Sequence, residues 1–346
     1  MNKKIGYKKR CVHKSKKEFA MVMLILVVMI VLPGFMLCGH VQAADYPTRS
    51  VAIVVPFSAG AATDMVARVM AEELSIKWKQ PVNVIDMPGG RTVPGVQYFM
   101  SAAPDGYTIL ADTNVSSASQ LGEKGLPYDV LNRIYLARIA VMSQTFIVEA
   151  NSPWRSLKDI AEAGRKNPAS IVWGAAAGGK GGNDIAQMQF LEAAGIDITR
   201  TSMVSFDGGT PCNNAVAGGH IRMTAGSPAG VISFVTSGKV KALAVTAPAR
   251  EKLLPSVPTS REAGFPAVNY HFWVGFSGPP GLPSDVVNTF LRTVEEILKD
   301  PKVIDRFETK LNMSVAFISL DAFKGFMLED ARIVEHFQEI LRKTKR

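Results

Sequence analysis

The sequence predicts an α/β protein of two lobes, joined by a hinge and enclosing a ligand cleft between them. Three observations predict it. Short β-branched apolar runs alternate with helical segments between residues 51 and 111, and the alternation recurs between residues 146 and 246; strand, loop, helix and strand at this spacing mean βαβ units. A connector with three prolines, Pro255 to Pro266, then leads to another strand and three helices, so the chain crosses between lobes more than once. Finally, loops of small residues sit at strand ends ahead of helices, where α/β folds gather ligands.

The elements follow in order. Val51 to Val55 is a buried strand. A helix capped by Thr63 or Asp64 runs to about Lys77, with Met65, Val66, Val69, Met70 and Leu74 on one face. Pro81 to Asp86 is a strand, Met87 to Gly95 a loop, Val96 to Ala102 a helix and Tyr107 to Ala111 a strand. In the second set, Phe146 to Val148, Ser170 to Trp173, Met203-Val204, Ile221 to Thr224 and Ala242 to Thr246 are strands. Ser156 to Lys166, Asn183 to Ala194, Thr210 to Ala217 and Val231 to Ser237 are the helices between them. After the connector, Tyr270 to Phe276 is a strand. Pro283 to Leu298, Val303 to Leu311 and Leu320 to Leu341 are helices expected to pack back on the first lobe. The lobes are therefore residues 44–145 with 250–346, and residues 146–249.

Residues 1–43 are of a different kind. Eight Lys or Arg residues precede Phe19 to Leu32, an apolar run of roughly 14 residues, the length of a signal-peptide core and short for a bilayer span. Pro33 and Gly34 break the run, and Val41-Gln42-Ala43 offers small residues for cleavage, giving Ala44 as the mature start. Phe35-Met36-Leu37 ahead of Cys38 lacks the small residues of a lipidation site. The leader carries most of the net charge of +9; without its eight bases and one acid the remainder is about +2, which removes the electrostatic case for nucleic-acid binding. Two of three cysteines leave with it. Cys212 alone remains, so no intrachain disulfide and no cysteine metal site is available, and a buried, inert thiol is expected.

Two loops can carry chemistry. Pro56-Phe57-Ser58-Ala59-Gly60-Ala61-Ala62-Thr63-Asp64 ends a strand and opens a helix, so its small residues allow close approach and its helix-start N–H groups suit an anion. Gly174 to Gly181 nearly matches a phosphate loop, with Gly174, Gly179 and Lys180 correctly spaced. Gly181 replaces the Ser or Thr that would hold magnesium, so nucleotide hydrolysis is not expected. The same backbone can serve as a second anion-binding loop. Asp207-Gly208-Gly209-Thr210 and Ala225-Gly226-Ser227-Pro228 each follow a short strand and precede a helix, a position that either faces the cleft from the second lobe or is an ordinary turn. No nucleophile–base–orienter set is present, and His220, His271 and His336 lack metal-ligand spacing. Catalysis, cofactors and metals are therefore not expected.

These residues resemble the substrate-binding component of tripartite tricarboxylate transporters, also called Bug proteins. The marks are Tyr46-Pro47-Thr48-Arg49, Val55-Pro56-Phe57-Ser58-Ala59-Gly60 with Thr63-Asp64, and Ala103-Pro104-Asp105-Gly106-Tyr107-Thr108. They continue through Leu126-Pro127-Tyr128-Asp129, Ser237 to Thr246, Val257-Pro258-Thr259 and Glu262-Ala263-Gly264. The resemblance implies a type II periplasmic-binding-protein fold, capture of a small organic carboxylate in the periplasm, and large and small integral membrane transporter subunits as partners; a monomer fits a closing cleft. It places the ligand against Phe57, Ser58, Ala59, Gly60, Ala61, Thr63 and Asp64, with Ala175, Ala176, Gly178, Gly181, Asp207, Gly208 and Ser227 closing over it. A ligand-binding module of a sensory system for a similar carboxylate is the alternative. The chain departs from the family at Ala61, Asp86, Asp207 and Gly226, where relatives usually carry Gly, Asn, Lys and Asp. Asp207, if it faced the cleft, would disfavour a second ligand carboxylate.

Overall fold

Two sheets organise the chain. The computed structural model describes residues 46–344; the leader, its cleavage site, Cys11 and Cys38 lie outside the described residues. The first sheet has six strands in the order β11-β4-β10-β3-β1-β2. Strands β1 (Val51–Val55), β2 (Val82–Asp86) and β3 (Thr108–Thr113) are parallel. Strand β10 (Phe272–Gly278) runs antiparallel between β3 and β4 (Ile134–Met142), and β11 (Ser314–Ser319) closes the edge against β4.

The second sheet has the order β7-β6-β8-β5-β9. Its strands are β5 (Thr145–Glu149), β6 (Val172–Ala175), β7 (Ser202–Ser205), β8 (Met223–Gly226) and β9 (Val240–Val245). Strand β6 is parallel to β7 and β8, while β5 runs antiparallel to β8 and β9.

Helices pack on both sheets because their apolar residues recur every three or four positions. Helix α1 (Ala62–Trp78) buries Val66, Val69, Met70 and Leu74 against β1, but Met65 is exposed, one position off the stripe. Helix α2 is Val93–Met100. In the second half come α3 (Leu157–Lys166), α4 (Gly182–Ala193), α5 (Gly209–Ala217) and α6 (Pro228–Thr236). Ser156 caps α3 in a reciprocal pair with Asp159. Helix α7 (Ser284–Leu298) sets Val287, Phe290, Val294 and Ile297 into the first core, and α8 (Pro301–Arg306) runs into a π turn at Phe307–Leu311.

Two expectations need correction. Strand β4 was not foreseen, nor was β11. Strand β4 carries Arg138 in its middle and reaches β5 with only Ser143 and Gln144 between, so no helix announces it. Arg138 is accommodated by donating to the Ala316 carbonyl (2.9 Å) and stacking over Phe326 (4.4 Å). The last helix, α9 (Leu320–Thr344), does not pack on the first sheet alone. Phe323 and Met327 join Tyr135 and Trp273 near the first sheet, while Val334, Phe337 and Leu341 enter the core of the second.

The sheets are connected at three places. Between β4 and β5, Gln144 exchanges backbone and side-chain hydrogen bonds with Thr246, at 2.9 Å each, and the Thr246 hydroxyl donates to the Tyr270 carbonyl at 3.0 Å. The two crossing strands of chain are thus fastened to each other. Helix α9 is the third connection.

Candidate functional site

A cavity of about 440 Å³, within the range of small-molecule sites, opens where the loops after β1, β2, β3 and β6 meet. All four loops leave the C-terminal ends of parallel strands, the expected place for a ligand. Its walls are largely carbon, from Pro56, Phe57, Pro88, Val115 and Ala177, with Ser58, Thr92, Ser119 and Gln120 as polar groups. Arg91, Glu123 and Lys180 are its charged lining.

Three of the loops are held in shape by specific devices. After β1, Gly60 turns at φ +82, a conformation that favours glycine. Asp64, third residue of α1, reaches back to accept from the Gly60 N–H at 2.7 Å, and its other oxygen meets Arg68 Nε at 2.7 Å. Burial acts to raise the Asp64 carboxyl, but the bonds from Arg68 and Gly60 outweigh it and hold it below the usual range. Arg68 also pairs with Asp86 at 2.8 Å. Burial and the neighbouring Asp64 push Asp86 up. The expected cap of α1 by Thr63 or Asp64 is therefore incorrect in detail: Ala61 is the cap residue and contributes no side-chain bond.

After β6, Asp184 does the same at larger scale. It is the third residue of α4, and its carboxylate accepts from the N–H groups of Ala176 (2.8 Å), Ala177 (3.0 Å), Gly179 (2.9 Å) and Gly181 (3.3 Å). Burial raises this carboxyl, and the four amides act against that rise. An internal carboxylate thus takes the amides that the sequence offered to an external anion. Gln338 of α9 clamps the loop from outside through the Gly179 carbonyl.

The loop after β2 is strained. Gly89, Gly90, Arg91 and Thr92 all have positive φ, at 99, 50, 53 and 73 degrees. For Arg91, and more so for β-branched Thr92, this costs on the order of 1–3 kcal/mol each. Gln120 holds the conformation: its Nε2 donates to the Arg91 carbonyl (3.0 Å) and Thr92 Oγ1 (2.9 Å), while Tyr128 donates to its Oε1 (2.9 Å). One result is the placement of Arg91 at the cavity mouth, where it contacts Glu123 Oε1. Lys180 reaches the same oxygen at 2.9 Å.

Of the residues predicted to form the site, Phe57, Ser58 and Gly181 line this cavity. Ala59, Gly60 and Ala61 continue the first loop, while Thr63 and Asp64 are buried at its helix end. Ala175 is buried at the end of β6; Ala176 offers its N–H to Asp184, and Gly178 is exposed at the loop tip. Asp207, Gly208 and Ser227 are not among the lining residues; Asp207 is exposed, and Ser227 caps α6 by accepting from the Gly230 N–H at 3.1 Å. Sequence reasoning did not single out Arg91, Gln120 or Glu123 as site residues. Cys212 is buried, its thiol pushed up to about 11 by burial. His271 is pushed down to about 4 by burial and Arg138, and stays neutral. Among the described residues no group of His, Cys, Asp and Glu could hold a metal, and no helix is long and apolar enough to cross a membrane.

Comparison with known proteins gives the site its context. The model of a family described as "Tripartite tricarboxylate transporter family receptor" matches residues 66–336. Over 331 residues the chain is 25% identical to Protein BugT of Bordetella pertussis, covering 94% of this chain and 98% of that one. The solved periplasmic binding protein BugD is similar with a TM-score of 0.63 and 27% identity, over 87% of this chain and 99% of the other. R. palustris Rpa4515, solved with adipate, has a TM-score of 0.68 at 23% identity over 87% and 99% of the two chains; at that identity the likeness speaks for fold alone. The fold is that of the type II-like periplasmic solute-binding proteins, and the family's members are substrate-binding receptors rather than enzymes. The chain belongs to the tripartite tricarboxylate transporter receptor family.

Proposed function

We propose that the protein is exported, is cleaved near Ala43, and captures a small organic carboxylate outside the cytoplasm for the large and small membrane subunits of a tripartite tricarboxylate-type transporter. The observation that carries this reading is the cavity itself: four strand-end loops from both sheets meet around an apolar space lined by two cations and one acid. In this reading the loop from Phe57 to Asp64 receives the ligand and the Ala175–Gly181 loop closes over it. Residues 44–145 with 250–346 form one lobe and residues 146–249 the other, turning about Ser143-Gln144 and Thr246. Binding favours the closed arrangement because the ligand touches both lobes only there.

The test is uptake. Cells lacking this gene should lose uptake of the labelled carboxylate that the purified protein retains, and regain it on complementation. Normal uptake in the deletion strain would contradict the transport role.

A further inference from the structure

The charged residues that line the cavity are Arg91, Lys180 and Glu123, two bases and one acid, which leave it with a net charge of +1. We propose that this cavity selects a singly charged carboxylate with an apolar body, and that Glu123 sets the selectivity by occupying one of the two positive charges. The inference rests on the carboxylate-binding reading above and names the class of acid within it.

The geometry supports a built-in counter-ion rather than a stray surface pair. Both cations contact one oxygen of Glu123, Oε1, Arg91 from the loop after β2 and Lys180 from the loop after β6. The Glu123 side chain is only 17% exposed, and its backbone N–H is fixed to the Gln120 carbonyl at 2.9 Å. Gln120 in turn holds the left-handed turn that carries Arg91. One short segment therefore places both the acid and the guanidinium. Lys180 comes from the loop after β6, which Asp184 fixes through four amides. Burial, with Arg91 and Arg342 nearby, holds the Lys180 ammonium below its usual range.

One added carboxylate neutralises the net charge of the lining. A second would enter mostly apolar walls beside Glu123, where like charges repel. Specificity built from such a repulsive group is a difference between affinities, so it is visible as a ratio. Asp207, the residue whose sequence position suggested this role, is exposed and away from the lining. Glu123 takes its place. The pocket walls of Pro56, Phe57, Pro88 and Val115 suit a hydrocarbon chain or ring on the acid.

The experiment is calorimetric titration of the purified protein, unfolded and refolded to release retained small molecules. The probes are aliphatic and aromatic monocarboxylates of four to eight carbons, each paired with the dicarboxylate of equal length. The best-binding monocarboxylate should bind at least about tenfold tighter than its dicarboxylate partner. Glu123→Gln should shrink or invert that ratio by about tenfold. Glu123→Asp, which keeps the charge, should preserve it and serves if the first variant folds poorly. A dicarboxylate preferred by the wild type, or a ratio unmoved by Glu123→Gln in a folded sample, overturns the inference and leaves the carboxylate reading standing. No binding by any acid in either series overturns both.

Discussion

Asp64 and Asp184 hold the same helical position, third in α1 and third in α4, and each turns back into the loop before it. A carboxylate there satisfies amides that a helix start leaves open and suits the positive end of the helix dipole. Asp184 is buried and serves four N–H groups at once. Asp184→Ala should therefore destabilise the protein by about 3 kcal/mol or more, since each orphaned buried donor is costly, and Asp184→Asn by less. Urea unfolding measures both; equal, small effects would show that water replaces the carboxylate. Gly60 makes a separate prediction. Nothing lies within 4 Å of a Cβ built there, but its φ of +82 strains any side chain. Gly60→Val should cost about 1–2 kcal/mol of stability and weaken ligand binding about tenfold in titration calorimetry. Unchanged affinity would remove this loop from the site.

The elements that a sequence exposes are those with a regular period and a partner of the other type beside them. Strand β1 and helix α1 follow this rule, as do β6 and α4, and the structure has them within two residues of expectation at each end. Strand β4 breaks the rule, with Arg138 inside it and no helix before β5. The site was legible to a similar degree. Its small-residue loops announce themselves through glycines at strand ends. Glu123 sits in an aperiodic stretch, where nothing local distinguishes it from a surface acid; only the fold brings it to Lys180. The strain of the Gly89–Thr92 turn is likewise invisible until φ is seen. Gln120→Ala removes the two side-chain donor bonds that hold this turn. It should lower stability by about 1–3 kcal/mol and weaken ligand binding, while a conservative Gln120→Glu should recover neither fully. Binding equal to wild type in Gln120→Ala would mean that the turn keeps Arg91 in place unaided.

At the scale of the whole molecule, the two sheets are bridged by crossing segments and by α9, whose ends serve different cores. Asp330 of α9 lies buried in that bridge, accepting from Trp273 Nε1 at 2.8 Å. Burial pushes its carboxyl up to about 7, against the opposing pull of Trp273, Tyr270 and Arg138. An acid raised in the folded state stabilises the fold most when protonated. Its contribution is full below about pH 4 and is lost as pH rises to about 7, by at most about 4 kcal/mol. Asp330→Asn should remove this slope. Urea unfolding at pH 5 and pH 8 should show the variant gaining on the wild type at the higher pH, whereas parallel curves would show that Asp330 is ionised throughout.

Recognition of a small carboxylate by its charge is the property on which the function of this cavity depends. The most direct measurement is titration calorimetry of the ligand-free protein with a carboxylic acid it retains on purification and with the primary amide of that acid. The two differ in little but the negative charge. The acid should bind saturably at one site per chain, and the amide at least about a hundredfold more weakly. Equal binding of acid and amide, or of neither, would contradict it.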